Sequence, residues 1–315
     1  MKTEKIIKLA SLFLAELPGH EFDVLEVAKP VSPEAALNLA KIISKLSPLV
    51  GNLIEFNTCE YLNDQEAFKK LGRWIRQDPG FPDTVFIGDV TPVPGFEIKA
   101  WFPLATEITA RFKDSQSHFL LNNTYVALMA WLPKNLIFGR PTIIDVEVIA
   151  AATIAKARDK HYHHPPSYVV LEPGDTSLRP VNLQQTNTNG LRFQGDAKLL
   201  AEAEAMVASW GADGTSYRTD VEYQTKLQQL IYKFPYRLDT NFAKMDRIQH
   251  SEIEAFKLRV GQTRFHGRTI SEWNRLLSSS YDQVIEDALN QTFDVRDTGR
   301  DVVKEDASEQ SRGDG

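Results

Sequence analysis

The chain has 315 residues, of which 42% are hydrophobic and 25% charged, a composition that excludes a mainly disordered chain and allows one large domain or two modest ones. Its 36 Lys and Arg against 42 Asp and Glu leave a net charge of −6, which argues against a protein that grips nucleic acid through bulk positive charge but leaves local contact open. The longest apolar runs, 125–132 and 143–152, fall short of the roughly 18 to 20 residues that a membrane span needs, and the second contains Asp145 and Glu147.

Residues 4–17 set Ile6, Ile7, Leu9, Ala10, Leu12, Phe13 and Leu14 around one helical face, and Pro18-Gly19 ends the pattern. Ser32-Pro33-Glu34-Ala35 reads as an N-cap followed by proline at the first helical position, predicting a helix to about residue 46. Pro48 separates it from a third helix, with Leu49, Leu53, Phe56 and Tyr61 on one side, that ends near Asn63. Residues 65–77 predict a further helix before a Pro/Gly-rich break at 78–82. The period then changes: 84–89 and 96–102 read as strands joined by a short loop with two prolines and a glycine, a hairpin. Helical spacing returns at 104–112, apolar β-rich runs fall at 125–132, 141–151 and 168–171, and helices are predicted over 197–210, 219–232 and 271–291. From about residue 297 the chain lacks apolar residues beyond Val302-Val303, and disorder is expected. The pattern implies an α/β (α+β) fold with a central mixed β-sheet flanked by helices.

The first residues carry no apolar stretch followed by a small-residue cleavage site. The single cysteine, Cys59, forms no internal disulfide. A reducing, cytoplasmic setting is the expectation.

Chemistry concentrates in the hairpin. Strand alternation points Glu97 and Lys99 to one face and Ile98 to the other. With the turn centred on Val93, Asp89 lies across from Glu97, their Cβ atoms about 5 Å apart. Two carboxylates that close repel, and a divalent cation between them resolves the conflict. Mg²⁺ prefers such oxygens, orients a phosphate and acidifies a bound water, while Lys99 stabilises charge developing on the phosphate or orients the attacking water. The chemistry indicated is phosphodiester hydrolysis. The other acid-x-Lys triplet, Asp196-Ala197-Lys198, opens a predicted helix, where Asp is a natural N-cap.

On Asp89 and Glu97-Ile98-Lys99 the chain resembles the PD-(D/E)xK nuclease superfamily, with Gly88 where the family name has proline. The resemblance covers roughly residues 49–171 and implies a restriction-endonuclease-like core, a metal site formed by Asp89, Glu97, the backbone carbonyl of Ile98 and an acid on the preceding helix, and Mg²⁺ as cofactor. Glu55, framed by apolar residues, is the first choice for that helix acid and Glu60 the second. Glu107, in the helix expected after the Lys99 strand, is a possible support. The organisation implied is a helical N-terminal region (1–63), a nuclease core with a DNA-reading loop (64–195), a helical C-terminal region (196–296) and a disordered acidic tail (297–315).

The stretch 181–190 gathers five side-chain amides, with Arg179 before it and Arg192 after it. Asn and Gln match the adenine edge and Arg the guanine edge, so Gln184, Gln185, Asn187, Asn189, Arg179 and Arg192 are candidate base readers. A polar surface loop with Asx-turns is the competing reading. His161 and His163, on one face if extended, offer phosphate or base contact more readily than a zinc site, and Arg259, Arg264, His266 and Arg268 form a basic stretch suited to backbone phosphates. Size and long insertions make the chain similar to type II restriction endonucleases, which implies sequence-specific cleavage of double-stranded DNA by a homodimer. No phosphate-loop motif for ATP occurs. A structure-specific repair or recombination nuclease and a non-catalytic DNA-binding protein are the alternatives.

Overall fold

The computed structural model describes residues 2–23, 25–77, 80–105, 112, 116–162, 166–171, 190–215, 217–239 and 244–295. The chain opens with α1 (Thr3–Leu14), α2 (Pro33–Ile42) and α3 (Ser47–Asp64). The Ser32 hydroxyl accepts a hydrogen bond from the Ala35 N–H at 3.1 Å, as an N-cap should, but α2 stops at Ile42 and tightens into a 3-10 turn over Ile43–Leu46.

The helix expected over 65–77 is replaced by the single turn α4 (Glu66–Lys69) and an edge strand, β1 (Gly72–Arg76). Gly72 decides this change. Its φ is +152°, and a Cβ there would fall 2.2 Å from the Ile87 carbonyl oxygen, so a residue without a side chain is needed for the chain to turn out of the helix and lie against the next strand. The outward backbone groups of this edge find a partner in Asn63, whose amide donates to the Trp74 carbonyl at 2.9 Å and accepts from the Trp74 N–H at 2.8 Å.

After β1 come β2 (Thr84–Gly88), β3 (Gly95–Trp101), β4 (Thr124–Asn135) and β5 (Phe138–Ala150). They form a mixed five-stranded sheet in the order β1-β2-β3-β4-β5, with only the β3–β4 pair parallel. Alternation gives β3 two faces. Phe96, Ile98 and Ala100 look towards α3: a Cβ on Gly51 would rest 3.8 Å from that of Ala100, and Phe96 meets the Trp74 ring at 5.3 Å. Glu97, Lys99 and Trp101 look the other way, where α8 (Ser251–Gln262) packs. There Phe256 meets Trp101 at 5.8 Å, and Arg259 pairs with Asp145 and Glu147 of β5 at 3.0 and 2.7 Å. The sheet is thus held between helices, as expected for this fold class.

The helix α5 (Ala151–Tyr162) leads from β5 to a second sheet, β6 (Tyr168–Val170), β7 (Gly190–Phe193) and β8 (Tyr236–Asp239), antiparallel throughout. This sheet packs with α6 (Ala197–Ala208) and α7 (Val221–Lys233) around a separate core of Val169, Ala203, Tyr223, Leu227 and Leu230. The β7–β8 ladder therefore runs across the division expected at 195/196. The C-terminal region is divided too, because α8, α9 (Ile270–Leu277) and α10 (Asp282–Phe293) return to the main core. β6 falls within the run expected at 168–171, but the four-residue strands β7 and β8, whose partners lie far away in sequence, leave too little periodicity to be read locally. The helix expected over 271–291 is broken in two at the serines 278–280. Among the described residues no helix is long and apolar enough to cross a membrane. Of the helix expected at 104–112, Leu104 and Ala105 are not helical, and most of the remainder lies outside the described residues, as does the expected disordered tail.

Asn63→Ala is expected to lower unfolding free energy by about 2 kcal/mol in a urea titration, because it strips two hydrogen bonds from the partly buried edge of β1.

Candidate functional site

The β2–β3 ladder pairs Thr84 with Phe96 and Val85 with Gly95, and the Phe86 N–H donates to the Pro94 carbonyl at 2.9 Å. One step further along the same register, Asp83 faces Glu97. The expectation that Asp89 would do so is corrected here: the hairpin is centred on Val90, not Val93. Two causes are visible. The Val90 N–H turns back to the Gly88 carbonyl at 2.9 Å and closes β2 early, and Pro92 and Pro94 have no N–H with which to extend the ladder. Asp89 is left exposed in the loop, while Asp83, preceded by Pro82, stands at the head of β2. The dipeptide Pro82-Asp83 was the overlooked signal in the sequence.

Around Glu97 the structure gathers four further charged groups. Asp83 Oδ2 accepts the Ile98 N–H at 2.6 Å, and the Asp83 carbonyl accepts the Gln77 N–H at 2.7 Å, so the residue is fixed by both its neighbours in the sheet. Lys99 Nζ donates to Glu97 Oε1. Glu97 is only 7% exposed, and its other oxygen, Oε2, is buried with no hydrogen-bond partner among the described residues. From α3, Glu55 pairs with Arg76 Nη2 at 3.6 Å. Arg76 sits opposite Thr84 in the β1–β2 ladder, next to Asp83, and was not anticipated because it lay inside the stretch read as helix.

Burial, first, and then the charge of Glu97 push the Asp83 carboxyl up from 3.8 to about 8; Lys99 and the Ile98 N–H pull the other way. Glu55 is also raised, again mainly by burial, with Lys99 and Arg76 opposing the rise and Glu97 adding to it. Two carboxylates about 5 Å apart repel by about 3 kcal/mol at an effective dielectric of about 20, equivalent to about two pKa units, so repulsion alone does not account for the rise and burial must supply the rest. Three carboxylates and two cations leave the fully ionised cluster with an excess of one negative charge.

The remaining candidates fall in different places. Glu60 is exposed on α3, away from the cluster that includes Glu55. Ile98 contributes its N–H to Asp83, with its side chain buried on the α3 side. His161 lies in α5, not in a strand, which removes the expected shared strand face with His163; His163 lies outside the described residues. So do Glu107, Arg179, Gln184, Gln185, Asn187 and Asn189. Arg192 lies within β7 rather than in a loop. Arg264 is in the short strand β9 (Arg264–Phe265), paired with β10 (Arg268–Thr269), and bonds the Gly267 carbonyl at 3.4 Å. The tip of that hairpin, His266, meets the Lys134 carbonyl at 2.8 Å, roughly 20 Å along β4 from the Leu128 that pairs with Lys99. The structure does not bring Arg264 to the cluster. Arg259 is taken up by its β5 acids, and Arg268 lies 4.8 Å over the Trp273 ring.

Among the described residues no three His, Cys, Asp or Glu side chains form a ready-made metal cage. Mg²⁺ does not need one, since it commonly binds through one or two carboxylates and keeps several waters. Glu97 Oε2, buried without a partner, and Asp83, whose ionised form the site disfavours, are a donor pair that such a cation fits. Compared with models of known protein families, with curated proteins and with solved structures, the chain matches none.

The sign of the pH dependence follows from Asp83. Between about pH 4 and pH 8 the folded protein holds a proton that the unfolded chain has released, so stability falls as pH rises through this window. Melting temperatures across that range are expected to show the decline in metal-free protein and to lose most of it in Asp83→Asn; an unchanged slope in the variant would place the effect elsewhere.

Proposed function

We propose that the protein is a Mg²⁺-dependent endonuclease that hydrolyses phosphodiester bonds of double-stranded DNA, with a core of the PD-(D/E)xK type. The observation that carries this reading is the convergence of Asp83, one step beyond the β2–β3 ladder and bonded to the Ile98 N–H, with Glu97, to which Lys99 is bonded. The corrected register strengthens the resemblance: with Asp83 as the first acid, the preceding residue is Pro82, so Pro82-Asp83 and Glu97-Ile98-Lys99 supply every letter of the family pattern.

In this reading Asp83 and Glu97 hold the ion, and Glu55, within electrostatic reach of Lys99 and Glu97, adds negative field from α3. When bound, Mg²⁺ supplies acidification of a coordinated water and neutralisation of charge on the scissile phosphate. The chain does the remaining work. Glu97 orients the Lys99 ammonium through its Oε1, and the side chain of Lys99, 17% exposed, is protected from bulk water where its charge acts most strongly on an oxyanion. The Ile98 N–H fixes the direction of the Asp83 carboxylate. The balance of charge suits the reaction: the ionised cluster at −1 becomes +1 with a divalent cation and is neutral once a phosphodiester enters. Sequence-specific cleavage by a homodimer, two equivalent sites addressing two strands, is the working form of the proposal.

Plasmid cleavage in Mg²⁺, absent in EDTA, tests it. Asp83→Asn, Glu97→Gln and Lys99→Ala are each expected to lose activity by 10²-fold or more, on the order seen when a charge-stabilising group is removed, with melting curves retained. Asp89→Ala is expected to cleave within about twofold of the parent protein, the size of effect typical of an exposed side chain outside a site. Wild-type activity in the first three variants would remove the proposal.

A further inference from the structure

The second sheet carries a surface that the proposed cleavage site does not use. In it Tyr168 pairs with Arg192, and Arg192 with Arg237, so the three side chains form one row across β6, β7 and β8. The next row carries Val169 and Leu191, which face inward, Val169 in the core and Leu191 packed against it. The row with the arginines therefore faces outward, and both arginines are exposed.

Like charges directly opposite one another on a sheet destabilise it, so this arrangement calls for something to neutralise it. Among the residues whose side chains are described, nothing supplies that. Three other arginines are matched with acids: Arg218 with Asp213 and Asp220, Arg140 with Asp23 and Glu26, Arg259 with Asp145 and Glu147. Among the described residues neither Arg192 nor Arg237 forms an ion pair or side-chain hydrogen bond, in a chain with six more acids than bases. The aromatic neighbour is held in place: a Cβ on Gly190 would lie 2.3 Å from the Tyr168 ring, so the ring crosses the backbone of β7 where glycine leaves room for it, beside Arg192.

We infer that Tyr168, Arg192 and Arg237 form a nucleic-acid backbone clamp, in which the two guanidinium groups bind phosphates and the tyrosine packs against sugar or base. Guanidinium forks match phosphate oxygens in paired hydrogen bonds, and an aromatic side chain among cations is the usual composition of a surface that tracks a strand. The inference rests on the proposed nuclease function and deepens it. It moves Arg192 from a base-reading role to a phosphate-binding one and supplies the local positive surface that an acidic chain needs to hold DNA. The exposed Lys156 and Lys160, one turn apart on the α5 helix that leads to β6, extend it.

The test measures binding of a random-sequence duplex to the full chain by fluorescence anisotropy in Ca²⁺, at several salt concentrations, for the parent protein, Arg192→Ala, Arg237→Ala, the double variant and the Arg→Lys pair. Melting curves confirm that each variant is folded. Each alanine is expected to weaken binding and reduce the slope of log affinity against log salt by about one, the double variant by about two, with partial recovery in the lysine pair. Unchanged affinity and slope in the folded double variant, with the parent protein still binding and cleaving DNA, overturns the clamp and leaves the nuclease reading standing. A parent protein that neither binds nor cleaves DNA overturns both. Displacement of the duplex by poly-glutamate at equal charge concentration would assign the surface to acidic protein partners and overturn the clamp.

Discussion

Two carboxylates on adjacent strands, facing each other where little water reaches, are the constraint on which the site depends. Asp83 lies one step beyond the last β2–β3 pair and is brought to Glu97 by its bond to the Ile98 N–H, and the fold holds the two carboxyls there against their repulsion. Lys99 relieves half of the conflict by bonding Glu97 Oε1, and the Ile98 N–H relieves part of it at Asp83. What remains is an Asp83 carboxyl pushed up to about 8 and, among the described residues, an oxygen on Glu97 without a partner. Such an arrangement is costly to stability on its own, and under the proposed function a hard cation would convert that cost into binding.

The surrounding fold keeps that arrangement rigid. On one side α3 packs on Phe96, Ile98 and Ala100 and carries Glu55 to Arg76; on the other α8 packs on Trp101 and is anchored by Arg259 to β5. The edge of the sheet, where Arg76 lies, is tied to the end of α3 by Asn63. Each charged group of the cluster is thus placed by an element with its own hydrophobic anchor, which limits how far the carboxylates can move apart. The second sheet, with an independent core, carries a different kind of surface, two exposed arginines in a row with a half-buried tyrosine.

How much of this could be read from the sequence depends on the range of the interaction. Glu97, Lys99 and the opposite orientation of Ile98 follow from strand alternation alone, and Glu55 was legible because an acid framed by apolar residues on a helix is placed near the core. The partner of Glu97 was not legible from alternation, because Asp83 and Asp89 both flank the same strand. The choice between them is made by where β2 ends, which depends on the Val90 backbone turning back and on prolines in the loop. Gly72 hid β1, and with it Arg76, since its conformation is dictated by contact with Ile87 rather than by local propensity. Arg237 was beyond reach for the same reason: its meaning arises only when β8 pairs with β7.

If a cation takes the place of the Asp83 proton, calorimetric titration of the purified chain with Mg²⁺ at pH 7, in buffers of different ionisation heat, will register the exchange. Release of close to one proton per ion bound is expected, with both binding and release lost in Glu97→Gln and release lost in Asp83→Asn. Binding without proton release, or the same release from Asp83→Asn as from the parent protein, would contradict it.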